Sequence, residues 1–176
     1  MNTARYALSG TGTQTAALGF GGYTDPPAGG NRTSTESWNG TSWTTVNSMN
    51  TARQQMGQAG TQTAALAFGG NAPPTYTTVE SWNGTSWTTS PVTLNTGRYG
   101  LSGCGTQTTA IAFGGYTGTA NTGATELYNG STWTKTNSMS TARILWEYRY
   151  KHFSIFRWFV VLPTPNSYGL GIWVFA

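Results

Sequence analysis

The stretch SWNGTSWT spans residues 37–44 and recurs unchanged at residues 81–88, and a near copy, LYNGSTWT, spans residues 127–134. In each copy Asn-Gly separates two runs of residues that favour strands. This is the strongest short signal for a β-hairpin, because a type I′ turn requires positive φ at both central residues. We therefore predict three hairpins, with turns at Asn39-Gly40, Asn83-Gly84 and Asn129-Gly130.

Two further phrases recur in a fixed order around this hairpin. The first phrase is TAR, or TGR in one copy, and its last residue is an arginine. The four arginines are Arg5, Arg53, Arg98 and Arg143. GTQTAALGFGG begins at residue 12, and close copies begin at residues 60 and 105. A period near 45 residues with a constant order is typical of a repeat architecture built from one supersecondary unit per repeat.

Each unit is predicted to contain four short strands. The first follows the arginine (YALSG, QQMGQ, YGLSG), and the second ends in paired glycines. A variable loop then leads to the hairpin, which supplies strands three and four. The loops YTDPPAGGNRTST, NAPPTYTT and YTGTANTGAT differ among repeats, so they are expected to shape any binding surface.

These features resemble the Kelch family of β-propeller repeats and the related central domain of galactose oxidase, in threonine-rich versions similar to those of bacteriophage and environmental bacterial proteins. The matching positions are the glycine pairs, the acid that opens strand three and the tryptophan of strand four: Gly21, Gly22, Gly69, Gly70, Gly114, Gly115, Glu36, Glu80, Glu126, Trp43, Trp87 and Trp133. The resemblance covers residues 1–143. It implies an all-β fold with three four-stranded antiparallel blades of an incomplete β-propeller, at about residues 5–49, 53–94 and 98–139.

The matching positions concern architecture and not chemistry. We expect Trp43, Trp87 and Trp133 to pack between neighbouring sheets. Each glutamate is expected to accept hydrogen bonds from backbone amides or from a repeat arginine. The three glutamates occupy equivalent places in successive repeats, which should keep them too far apart for paired acid/base catalysis.

The composition gives no support to an enzyme. His152 and Cys104 are the single histidine and cysteine of the chain, so the ligand cluster of a metal site such as that of galactose oxidase is missing. We predict no catalytic residue, no cofactor and no metal. Half of the net charge of +4 lies in residues 144–176, and no basic stripe marks the rest, so we predict no nucleic-acid partner.

Residues 144–176 do not continue the repeat. One hypothesis is that they are translated out of frame, since a shifted reading frame permits Gly-Thr-Asn-Thr at the repeat position. The alternative is a genuine aromatic segment that completes a blade or binds another subunit. Neither this tail nor the rest has an apolar run long enough to span a membrane, and no signal peptide is evident.

The sequence favours a non-enzymatic recognition or structural module, a fragment of a longer repeat protein such as a phage tail or cell-surface binding protein. The expected location of that parent is therefore a virion or cell surface. Its expected partners are a protein or glycan bound through the loops, and further blades or a second copy of the chain. An intracellular protein-interaction scaffold is the alternative, and a galactose-oxidase-like remnant without its metal ligands is a more remote one.

Overall fold

The computed structural model describes residues 1–27, 29–73 and 76–144. Within these ranges the chain forms fourteen strands and no helix, so the predicted all-β fold is confirmed. Three antiparallel sheets of four strands follow one another along the chain, one in each repeat. No helix in the same ranges has the length and apolarity needed to cross a membrane.

Sheet 1 contains strands β1 (Ser9–Gly12), β2 (Ala17–Phe20), β5 (Thr35–Trp38) and β6 (Trp43–Val46), in that spatial order. A two-stranded ribbon, β3 (Tyr23–Thr24) and β4 (Gly30–Asn31), lies within its long loop. Sheet 2 contains β7 (Gly57–Gly60), β8 (Ala65–Phe68), β9 (Val79–Trp82) and β10 (Trp87–Thr89). Sheet 3 contains β11 (Ser102–Gly105), β12 (Ala110–Phe113), β13 (Thr125–Tyr128) and β14 (Trp133–Thr136). The first strands, β1, β7 and β11, lie side by side, as in a propeller.

The first strand of each sheet starts about three residues later than predicted. Backbone φ is positive at Ala7, Gln55 and Gly100, the same position of the three repeats. This conformation interrupts the extended chain, so the residues before it form isolated bridges and not a continuous strand. The interruption could not be predicted at Ala7 and Gln55, because alanine and glutamine rarely adopt positive φ.

The predicted type I′ turn is wrong. Trp38 pairs with Trp43, so the hairpin loop contains four residues and not two. Asn39 does not have positive φ, whereas Gly40 has φ of 92°. The Asn39 side chain explains the difference, because its Oδ1 accepts hydrogen bonds from the N–H groups of Thr41 (3.0 Å) and Ser42 (2.9 Å). The same pattern recurs at Asn83 and Asn129.

The paired glycines allow the next repeat to approach closely. Gly70 donates its N–H to the carbonyl of Arg98 (3.0 Å). A Cβ on Gly69 would lie 2.6 Å from that carbonyl oxygen, and φ at Gly69 is already +63°. Only glycine therefore fits there without strain. The equivalent bonds of the other repeats run from Gly22 to Arg53 and from Gly115 to Arg143.

Buried side chains between adjacent sheets form the core. Phe20 of sheet 1 packs against Trp87 of sheet 2, with ring centroids 4.9 Å apart. Phe68 of sheet 2 packs in the same way against Trp133 of sheet 3 at 5.0 Å. Trp87 and Trp133 thus lie between sheets. Trp43 differs, because the described residues place no sheet against its face, and it is partly exposed.

Three buried ion pairs hold the start of each repeat to its own sheet. Arg5 pairs with Glu36 (2.7 Å), Arg53 with Glu80 (2.9 Å) and Arg98 with Glu126 (2.5 Å), and all six side chains are almost completely buried. The glutamates also accept bonds from backbone N–H groups of the preceding segment: Asn2, Asn50, Thr51, Asn95 and Thr96. Each carboxylate therefore has both a charged and a backbone partner, as a buried charge requires.

These contacts shift the protonation of two of the glutamates. Burial alone would raise the pKa of Glu36, but the hydrogen bond from the Asn2 N–H and the Arg5 guanidinium outweigh burial and lower the pKa. Burial also opposes ionisation of Glu126, and the Arg98 guanidinium with the Asn95 N–H lowers its pKa overall. Both groups therefore stabilise the fold in their ionised form.

We predict that the protein loses stability in acid. A glutamate whose pKa is lower in the folded chain adds stability above the unfolded value of about 4.3. That contribution is lost as the pH falls through the lower folded value. The free energy of unfolding should change little between about pH 7 and 5 on this account and then fall. Denaturant titrations at several pH values would measure it, and equal stability at about pH 7 and 3 would contradict the ion-pair account.

A matched variant identifies the groups responsible. Glu126→Gln removes one of the two carboxylates whose pKa is lowered, so the stability of this variant should be lower at neutral pH and should fall less steeply in acid. An acid response as steep as that of the unchanged chain would show that other groups cause it.

The hypothesis of an out-of-frame tail falls on residues 144–176, of which 145–176 lie outside the described residues.

Candidate functional site

The two ends of the sheets differ in the variety of their loops. At one end lie the turn after the first strand and the hairpin turn, which are almost identical in all repeats. At the other end lie the loops between the second and third strands, at residues 21–34, 69–78 and 114–124, which have 14, 10 and 11 residues. We name this second end the loop end. A repeat whose framework is constant places its diversity in loops of this kind, where binding residues concentrate.

Tyrosines concentrate at the loop end. Tyr6 precedes β1 and Tyr23 follows β2, and because these strands are antiparallel both tyrosines lie at the same end of sheet 1. Their backbones bond to each other in both directions, at 3.0 and 2.8 Å, and their rings lie 5.4 Å apart. Tyr6 is 38% exposed and Tyr23 is partly exposed, so this pair presents aromatic surface to solvent.

A second group of tyrosines lies between sheets 2 and 3. Tyr99 and Tyr116 occupy the positions of Tyr6 and Tyr23, with the same pair of backbone bonds. Tyr76, from the loop of sheet 2, packs on Tyr99 with ring centroids 5.4 Å apart, and Tyr99 lies 5.5 Å from Tyr116. All three rings are partly exposed. Burial and then the neighbouring phenol groups of Tyr116 and Tyr76 raise the pKa of Tyr99, so the Tyr99 phenol stays neutral at physiological pH.

Polar groups surround these rings. Arg32 donates from Nε to Thr24 Oγ1 (2.7 Å), and Asn31 donates from Nδ2 to the carbonyl of Asn71 (2.7 Å), which links the loops of sheets 1 and 2. In sheet 2, Gln54 and Asn71 occupy the positions of the tyrosine pairs of the neighbouring sheets. The Asn71 backbone N–H donates to the Gln54 carbonyl at 2.7 Å. The loop end therefore combines fixed aromatic rings with amides and hydroxyls.

Of the sequence-predicted positions, the glycine pairs begin the loops of the loop end, at residues 21–22, 69–70 and 114–115, and the others lie elsewhere. The arginines and glutamates that form ion pairs are buried inside the sheets, and the hairpin asparagines lie at the opposite end. Arg143 is exposed and has no ion pair among the described residues. No cluster of three histidine, cysteine or acidic side chains that could hold a metal occurs within the described ranges.

The tyrosines were missed in the sequence, although a signal was present. Tyr6 and Tyr99 directly follow a repeat arginine, and Tyr23 and Tyr116 directly follow a glycine pair. A tyrosine at a fixed offset in two of three repeats could have been noticed. The sequence did not show that the tyrosines at these two positions contact each other in the folded chain.

Comparison with known proteins adds no relative. No protein-family model matches the chain, and no curated protein matches it either.

Proposed function

We propose that this chain is a non-enzymatic recognition module of the Kelch-like propeller type, and that its loop end binds a neutral glycan. The observation that carries the proposal is the group of five partly exposed tyrosines at the loop end, three of them on the variable loops and two just before a first strand. A phage-tail or cell-surface protein is the context that we propose for it. An intracellular scaffold remains the alternative, and a stoichiometric protein partner would favour that alternative.

Aromatic rings held at fixed positions suit a sugar. A tyrosine ring offers an apolar face to the C–H face of a pyranose, and it loses little conformational entropy because it has few rotatable bonds. The rings of Tyr76, Tyr99 and Tyr116 already pack against one another, so binding would not need to order them. Amide and hydroxyl groups beside the rings can donate to and accept from sugar hydroxyls.

The charge of the loop end favours a neutral ligand. Its charged side chains among the described residues are few: Asp25, Arg32 and Arg143. Arg32 is bonded to Thr24. A surface that recognises anions usually presents several cationic groups together.

The placement of the carboxylates supports binding over catalysis. Glu36, Glu80 and Glu126 are each bonded to an arginine inside a sheet. Asp25 is the one acidic residue of the described ranges outside these pairs. General acid/base chemistry on a glycosidic bond normally needs two carboxyl groups flanking that bond.

A binding titration tests the proposal. The probes are neutral six-residue oligosaccharides of glucose, mannose and N-acetylglucosamine, screened on an array and then titrated calorimetrically. We expect at least one to bind the full chain, and we expect Tyr99→Ala to weaken that binding about tenfold, which corresponds to about 1.4 kcal/mol. Tyr6→Ala tests the tyrosine pair of sheet 1 in the same way.

Tyr128 provides the matched control. It is a partly exposed tyrosine at the opposite end of sheet 3, with its ring stacked on Trp133 at 4.9 Å. Tyr128→Ala should leave the affinity unchanged, whatever it does to the melting temperature. The proposal fails if no oligosaccharide of the panel binds, or if Tyr128→Ala weakens binding as much as Tyr99→Ala does.

A further inference from the structure

The chain contains the same sheet-to-sheet interface twice. In each, a phenylalanine of the earlier sheet packs on a tryptophan of the later one, as Phe20 does on Trp87. A glutamine of the later sheet also donates to backbone carbonyls of the earlier one. Gln62 Nε2 lies 2.5 Å from the carbonyl oxygen of Trp38, and Gln107 Nε2 lies 2.6 Å from that of Trp82. The phenylalanine, the tryptophan ring and the glutamine thus make the same contacts at both interfaces.

Sheet 1 presents the later half of this interface without a partner among the described residues. Trp43 and Gln14 occupy the positions of Trp87 and Gln62, but Trp43 is partly exposed and Gln14 is exposed. Leu8 is also partly exposed, whereas the equivalent Met56 is 3% exposed. Leu8, Trp43 and Gly19 line an open hollow on this face.

Sheet 3 presents the earlier half. Phe113 is partly exposed, whereas its equivalents Phe20 and Phe68 are completely buried. Leu127, on the neighbouring strand, is 47% exposed. The carbonyl groups of Ala110 and Tyr128 occupy the positions of Ala17 and Trp38, which accept from Gln62 in the first interface.

One hydrogen bond of the internal interfaces could also form between the exposed face of sheet 1 and that of sheet 3. The Trp87 indole N–H donates to Thr35 Oγ1 of the preceding sheet at 3.0 Å. The Trp133 indole N–H lacks a partner in the described ranges, because Val79 stands where a threonine would accept it. Sheet 3 has threonine again at this position, Thr125, so it can accept the indole N–H of a Trp43 placed against it.

We propose that a second copy of this chain docks head to tail, with the Trp43 face of each copy on the Phe113 face of the other. Two copies then form a closed ring with two equal interfaces. The ring contains six sheets, within the range of about four to eight that propellers use. Each new interface repeats contacts that the chain already makes internally, which is why a copy of the same chain fits both faces.

Sedimentation equilibrium of the full 176-residue chain tests this proposal. We expect a reversible dimer of twice the 18.8 kDa of one chain. Leu8→Glu on one face and Phe113→Glu on the other should each raise the dissociation constant at least tenfold. Gln14→Ala should raise it severalfold without affecting folding, because its side chain is exposed. Ser131→Glu, at an exposed hairpin turn, should change it less than twofold.

Mixing the two glutamate variants distinguishes head-to-tail docking from other contacts. Each variant alone lacks one half of both interfaces and should be monomeric at a concentration where the unchanged chain is just dimeric. An equal mixture restores one good interface and should form a mixed dimer at that concentration. The proposal is overturned by a chain that stays monomeric. It is also overturned if Phe113→Glu alone dimerises as tightly as the unchanged chain, or if open polymers form in place of a dimer.

Discussion

Glu80→Ala is expected to lower the free energy of unfolding by about 3–5 kcal/mol, because it leaves a buried charge without its partner. Arg53 is completely buried, and its Nη2 donates to Glu80 Oε1 at 2.9 Å. The N–H groups of Asn50 and Thr51 would lose their acceptor as well. Burial lowers the pKa of Arg53, whereas the Glu80 carboxylate raises it, so removing Glu80 leaves only the unfavourable effect. Urea denaturation followed by tryptophan fluorescence measures the loss.

Asp25→Ala is the matched control for this variant. It removes a carboxylate of the same charge at an exposed position, so it should change the free energy of unfolding by less than about 0.5 kcal/mol. If Glu80→Ala and Asp25→Ala have equal effects, the ion pairs do not hold the repeats together.

Phe68→Ala is expected to destabilise by a similar amount, about 3–5 kcal/mol. The Phe68 side chain is completely buried and lies between two sheets, close to Gly57 of sheet 2, Gly103 of sheet 3 and the Trp133 ring. Alanine would leave a cavity there that the surrounding backbone cannot fill. Thermal and urea unfolding at low protein concentration measure the effect.

Phe113→Ala offers the comparison at the same repeat position. Phe113 is partly exposed because no sheet follows it among the described residues. Its removal from a monomer should therefore cost less than half as much as the removal of Phe68. Equal losses for the two variants would mean that both phenylalanines are equally covered, which would contradict the stacking order described above.

The strands of this fold could be predicted because the same strand-forming runs recur in every repeat. The runs TESW and VESW coincide with β5 and β9. The same periodicity did not predict where the first strands begin, because the residues with positive φ, Ala7 and Gln55, bond to a neighbouring repeat. The Gln55 N–H donates to the carbonyl of Ala7 at 2.9 Å, and this bond does not exist within one unit.

The hairpin shows a second limit of local reasoning. Asn-Gly was interpreted through its backbone preference, but the Asn39 side chain accepts two backbone N–H groups and closes a longer loop. Hydrogen bonding by the asparagine side chain competes with the type I′ turn. The same Asn-Gly sequence is compatible with both, so it does not distinguish them.

The variable loops could be proposed as a binding surface from the sequence, but the tyrosine contacts of the loop end could not be derived from spacing. The repeated residues are those that all units share, and they belong to the structural framework. Tyr76 occurs in one loop and has no equivalent in the others. It joins Tyr99 only because adjacent sheets bring a loop and a strand start together. The contact between Tyr76 and Tyr99 depends on how adjacent sheets pack, which the repeat period does not specify.

Amide NMR of the full chain, titrated with the oligosaccharide that binds, shows whether the loop end is the recognition surface. Binding there should give saturable shift changes at Tyr6, Tyr23, Tyr99 and Tyr116, while the amide signals of the hairpin residues Asn39, Asn83 and Asn129 stay unchanged. Shift changes confined to those hairpin amides, with the tyrosine amides unmoved, would contradict it.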